Sequence, residues 1–274
     1  MMRLMKFLPV LFLLGMIAII ISCEDDKSTN PQDQVPTVPP GSTIMIDFSE
    51  FPDTNSIGSP DALNLSKNNW GWAALNVSVW NSVLTLTLAL PVAAFSEAFN
   101  HQPILQSDGS WLWQYNVESN EETVTVKLYG SLVATGIEWQ MLISNSTVTD
   151  FEWFTGFSNA NTTEGNWTLN ANTDPPMPVL FIEWHRDLQQ GTANVKYTNI
   201  AQGISENGSY IHYGKSNEVP HNKFYKIYGS EEDRLINILW NYEQHFGRVK
   251  DTVKFRDDAW HCWDEKLDDI VCPE

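Results

Sequence analysis

The chain is 274 residues long and carries 34 acidic against 16 basic residues, a formal charge of −18. A surface of that sign repels polynucleotides and anionic headgroups, so the balance excludes nucleic-acid binding and gives no electrostatic route to a membrane. The length suits one large β domain or two small ones with a sizeable core, and twelve Trp and thirteen Phe are many for it.

The chain opens with Arg3 and Lys6 ahead of an apolar run from Phe7 to Ile21, too short and too early for an ordinary membrane span. The run ends Ile20-Ile21-Ser22-Cys23. This segment resembles the lipobox of bacterial lipoproteins: apolar residues, a small residue, then cysteine, here with isoleucine in place of the usual leucine. The resemblance covers this segment alone. It implies cleavage after Ser22, lipidation of Cys23, and attachment through acyl chains, two or more of which anchor stably. The alternative is an ordinary signal peptide with a chance cysteine. Glu24-Asp25-Asp26 resembles the surface-export signal of Bacteroidetes-type lipoproteins and is equally a soluble linker. Removing residues 1–22 leaves 14 basic and 34 acidic residues, a charge of −20, so lipid rather than charge would hold the protein at a membrane. Residues 23–41 are polar and rich in proline (Pro31, Pro36, Pro39, Pro40) and read as a disordered tether. With Cys23 lipidated, Cys262 and Cys272 remain. An oxidising envelope compartment favours a disulfide between them, the alternative being two buried thiols. Cys262 with His261 lacks the partner spacing of a zinc site.

In chain order, Ile44 to Phe48 reads as a first strand and Asp53 to Ser59 as a turn. From Asn68 to Ser96 there is no charged residue. Three readings compete for this stretch: a long buried helix over Trp70 to Phe99, which its length and alanines favour and Pro91 would kink; a pair of strands, since Val83 to Leu88 alternates at period two; and a membrane span. A helix apolar on every side must be enclosed on every side, which a barrel can do. The remainder reads as strands. Trp111 to Val117 alternates, followed by Val124–Leu128, Ile137–Ile143, Phe151–Trp153, Trp167–Leu169, Val179–Trp184, Val195–Tyr197, Ser209–Tyr213, Phe224–Tyr228 and Leu235–Tyr242. Short polar turns make consecutive strands antiparallel neighbours.

The expected fold is therefore all-β and mainly antiparallel. It is a meander over residues 42–274, closing into a barrel or a curled sheet around one long apolar helix.

Chemistry is sparse. No GxSxG, HExxH, phosphate-binding or dinucleotide motif is present. Glu183 and His185 share a strand face, as a general acid/base pair would, or as a solvated outer face does. Trp113, Trp139, Trp153, Trp167 and Trp184 fall about one per strand, either as core packing or as an aromatic face for a sugar or an apolar ligand. The acids Asp257, Asp258, Asp264, Glu265, Asp268 and Asp269 lack the glycine turn and alternating ligands of a calcium loop. No cofactor or metal is implied. Two function classes survive. One is a non-catalytic envelope module, anchored in a membrane (the outer membrane is expected), that binds a small apolar molecule, a sugar or an envelope protein. The other is a carboxylate-dependent hydrolase of envelope or extracellular polymers.

Overall fold

The computed structural model of the protein describes residues 34–44, 50–52, 65–119 and 122–273. The lipobox, Cys23, the expected strand residues 45–48 and the expected turn 53–59 lie outside them. Ile44 itself follows a short 3-10 turn, Gly41–Thr43.

One long helix, α1 (Asn68–Glu97), precedes the sheet. The sheet runs β1 (Ile104–Leu105), β2 (Trp111–Ser119), β3 (Glu122–Val133), β4 (Gly136–Ser144), β5 (Phe151–Ser158), β6 (Glu164–Ala171) and β7 (Met177–Asp187). It continues through β8 (Thr192–Asn199), β9 (Tyr210–Lys215), β10 (Lys223–Gly229), β11 (Arg234–Trp240) and β12 (Gly247–Lys250). After a one-turn helix, α2 (Thr252–Phe255), come β13 (His261–Trp263) and β14 (Asp269–Ile270). All fourteen strands form one sheet in strictly sequential order, every neighbour antiparallel. Each of the ten strands expected from Trp111 to Tyr242 is present as β2 to β11.

Closure did not follow. β1 and β14 are the two ends of the sheet and do not pair with each other, so the architecture is the curled sheet and not the barrel. Curling is required by the helix, which touches β2 near one end of the sheet and β12, β13 and β14 at the other. The concave face is apolar on every long strand, from Trp113 and Tyr115 through Trp139, Trp167, Ile182 and Tyr197 to Ile238, Trp240 and Trp263. Glycine lets two of the indoles lie flat. A Cβ on Gly156 would stand 2.2 Å from Trp167, its cross-strand partner, and one on Gly247 would stand 2.3 Å from Trp263.

The uncharged segment is helical, as its length and composition favour. It is the one described helix long and apolar enough to cross a membrane. It nevertheless packs along the protein, clasped at both ends. Its first turn has no local cap, because Lys67 offers no acceptor. Asp269 of β14 supplies one instead, accepting from the backbone N–H of Asn68 (3.1 Å) and Asn69 (2.8 Å). The Asn69 amide donates to the Cys262 carbonyl at 2.9 Å. Near the other end Tyr115 donates to the Ala94 carbonyl at 2.6 Å, and Phe95 packs edge-on against Trp167. Ala73, Val77, Leu84, Leu88 and Phe95 mark the buried stripe, at helical spacing.

Two further expectations need correction. The helix is not enclosed: Leu75, Val79, Val83 and Leu86 are exposed, because an open sheet covers one side only. The tether does not extend to residue 41 either. Pro36, Pro39, Thr43 and Ile44 are buried in the concave face, where Trp167 Nε1 reaches Thr43 Oγ1 (3.3 Å) and the Tyr197 hydroxyl donates to the Ile44 carbonyl (3.0 Å). The prolines fix an extended strap that packs.

Cys262 and Cys272 are joined in a disulfide. It ties β13 to the residues after β14.

Candidate functional site

The residues singled out by sequence take structural places. Trp113, Trp139, Trp167 and Trp184 are buried on the concave face, and Trp153 is half-buried. Trp153 is the extra residue of a bulge between Glu152 and Phe154, which pair with Leu142 and Met141. Trp139 and Trp184 thus turn inward while Glu138 and Glu183 beside them turn outward, and the aromatic row is core under α1 and the strap.

Glu183 and His185 point outward on β7 and are brought together with other partners. Glu183 faces Lys196 at 3.8 Å and His185 faces Glu164 at 3.9 Å, each across a strand pair and each about half exposed. These are cross-strand contacts of a solvated sheet face, worth little individually.

The acidic tail is dispersed into separate tasks. Asp257 binds His261, Asp258 binds Lys250, Asp264 closes a turn on the Lys266 and Asp268 amides, and Asp269 caps α1. Among the described residues no group of three or more His, Cys, Asp or Glu side chains is placed to hold a metal ion.

One hollow was not legible from any motif. Between the middle of α1 and one end of the sheet lies a cleft of about 500 Å³. Its walls are Trp80 and Leu84 of α1, with Val179, Leu180, Ile227 and Ile236 from β7, β10 and β11. Its rim is polar: Asn76, Asn199, Glu206, Ser209, Glu232 and Arg234. Curling creates this space, because the helix is held at its two ends and the sheet bows away from its middle. Apolar walls with a few polar groups at the mouth suit a small molecule with an apolar body and a polar head.

Arg234 is the positioned charge of the cleft. Asp251, fully buried, receives Arg234 Nη2 at 2.7 Å and Nε at 3.1 Å. The same carboxylate accepts Trp72 Nε1 at 2.9 Å and caps α2 through the amides of Val253 and Lys254. Burial alone raises the Asp251 pKa. The hydrogen bonds from Arg234, the Lys254 amide and Trp72 outweigh it and hold the carboxyl below its usual range. The guanidinium also stacks over the Trp72 ring, 5.4 Å from its centroid. One buried acid therefore fixes α1, β11 and the rim of the cleft to one another.

A second hollow, about 750 Å³, is a more polar groove on the convex side of β3 to β6. Asp108, Glu138, Gln140, Thr155 and Asn166 line it together with the rings of Tyr129 and Phe157. Asp108 is held ionised by the backbone and hydroxyl of Ser110, which lower its pKa.

No known family model, no curated protein and no solved structure matches this chain.

Proposed function

We propose that this chain is a lipid-anchored protein of the bacterial cell envelope whose domain binds a small amphipathic molecule in the cleft beside α1. The observation that carries the binding reading is the cleft itself, with an indole and aliphatic walls beneath a rim that holds a fixed guanidinium. The anchor reading rests on the segment ending at Cys23. Native mass spectrometry of the full chain purified from envelopes tests the binding. A mass excess lost on denaturation is expected, and Ala201→Trp, which fills the cleft mouth, removes it. A bare polypeptide mass for the unaltered chain refutes the reading. Palmitate labelling tests the anchor: Cys23→Ala abolishes incorporation if Cys23 is the acceptor.

A hydrolase is the second reading, and the convex groove favours it. Asp108 and Glu138 both line that groove beside two aromatic rings, whereas Glu183 and His185 stand in cross-strand contacts on an open face. An envelope-polysaccharide hydrolysis assay decides it. Glu138→Gln abolishes any activity that the groove supports, and activity indifferent to Glu138→Gln removes the groove from consideration.

A further inference from the structure

The side of α1 turned away from the sheet is apolar and uncharged, unlike an ordinary soluble surface. Leu75, Val79 and Leu86 are 44%, 54% and 85% exposed, and exposed Ala89 and Ala93 continue the stripe at steps of three and four. No charge interrupts it from Asn68 to Ser96, in a chain whose net charge is −18. Three of its hydroxyls are already satisfied within the helix. Ser82 donates to the Ser78 carbonyl (3.0 Å), Thr87 to the Val83 carbonyl (2.8 Å) and Thr85 to Asn81 Oδ1 (3.1 Å). Leaving water therefore costs these three hydroxyls little, since their protons keep their partners.

The strap runs under the same helix, on its sheet side. Pro36 is buried next to Gly130 of β3, and Gly41 lies against Ser96, a Cβ there falling 3.1 Å from the Ser96 hydroxyl in the last turns of α1. Residues 24–35 separate Cys23 from this point and span at most roughly 40 Å. That is close to the ~45 Å length of a 30-residue helix. A bilayer holding Cys23 is thus within reach of the whole stripe, and contact becomes intramolecular. The stripe is too small for a second copy to be its main occupant. A single helix face of this length offers on the order of 450 Å² from its dimensions, against ~800 Å² per partner in a standard stable interface.

We propose that the exposed stripe of α1 lies on the apolar margin of a lipid bilayer, so that the protein meets its membrane at two points, the acyl chains and the helix. The inference rests on the anchor at Cys23. With no cation on the stripe, the contact gains nothing from anionic lipid. The cleft then opens beside the membrane, since Val83 and Thr87 belong to its lining.

The test uses the full chain reconstituted in phosphatidylcholine vesicles with brominated acyl chains. A polarity-sensitive fluorophore is placed on Leu86→Cys or, as control, on Leu188→Cys, an exposed site at the opposite end of the strands from the cleft. Quenching several-fold stronger at position 86 than at 188, and no stronger when phosphatidylglycerol is added, is expected. Equal or absent quenching with Cys23 palmitoylated overturns the docking and leaves the anchor intact. Quenching at 86 without palmitate incorporation overturns the anchor and leaves the docking standing. Concentration-dependent shielding of position 86 without vesicles assigns the stripe to a second copy and overturns the proposal.

Discussion

Asp251→Asn is the sharpest test of how the cleft is held. The substitution keeps shape and removes charge. Each carboxylate oxygen of Asp251 serves at least two donors: Oδ2 takes Arg234 Nη2 and Trp72 Nε1, and Oδ1 takes Arg234 Nε and the amides of Val253 and Lys254. Whichever way the new amide turns, its NH₂ faces donors, so two or three hydrogen bonds are lost and the Arg234 guanidinium, four-fifths buried, loses its buried counter-charge and keeps only exposed Glu232 at 3.4 Å. Breaking such a pair from one side costs about 3–5 kcal/mol. For a domain of this size that is a fall of roughly 10 °C in Tm. Arg234→Met in the Asp251→Asn background recovers part of the loss, because the stranded cation is gone. The sign with pH follows from the lowered pKa. The carboxylate stabilises the fold above its unfolded pKa of ~4, and that contribution fades as pH falls through the folded value. The gap between wild type and Asp251→Asn therefore narrows in acid. Urea unfolding followed by tryptophan fluorescence at pH 7 and pH 3 reads both effects. A loss under about 1 kcal/mol at pH 7, or a gap that stays constant into acid, refutes the account of Asp251 as the junction.

Asp269→Ala removes the remote cap of α1 and costs about 1 kcal/mol, seen as faster amide exchange at Asn68 and Asn69 with the rest of the helix unchanged. Gly156→Ala drives a methyl group to 2.2 Å from Trp167 and 2.5 Å from the Asn166 carbonyl, and the forced shift costs about 2–3 kcal/mol in denaturant melts. His212 and His221 titrate near pH 4 by NMR, His212 through burial and then Lys226 and Lys196, His221 through burial and then Arg248. Both are neutral in the fold, so stability is full above pH 6.5 and declines from there to about pH 4 as the unfolded chain takes up the protons. Arg248→Met raises the His221 midpoint.

Much of the fold was legible because it is local. Trp111 to Val117 and Ile137 to Ile143 alternate with their burial, and each strand pairs with the next, so period and turn length suffice. The helix was legible from its length without charge. Its environment was not, since composition cannot distinguish a helix enclosed by a closed barrel from one lying in an open sheet. β1, β13 and β14, two or three residues each, are too short to show any period. The strap at Pro36 to Ile44 was misjudged because a packed extended segment and a solvated one share the same proline-rich composition. Asp251 carried no local signal, and Asp269 looked like a member of an acidic tail. Their partners Trp72 and Asn69 lie 179 and 200 positions away, and no local pattern reports a contact of that range. The cleft drew Trp80, Leu180, Ile227 and Ile236 from four separate elements, and the signal for it was shape, which the sequence carries only through the curl of the sheet.

The remote cap on α1 also sets an order of events. Asn68 reaches its acceptor only when Asp269, 201 positions later, has been made. At roughly 5–20 residues per second that interval is on the order of 10–40 s. Throughout it the least charged helix of the chain has no docking strand at its first turn, while the sheet grows hairpin by hairpin beneath it. While synthesis continues the nascent protein is thus a growing set of hairpins carrying an apolar rod held only near its C-terminal end. That half-made form is the one a chaperone must shield, and a ribosome stalled before β14 would leave it so indefinitely.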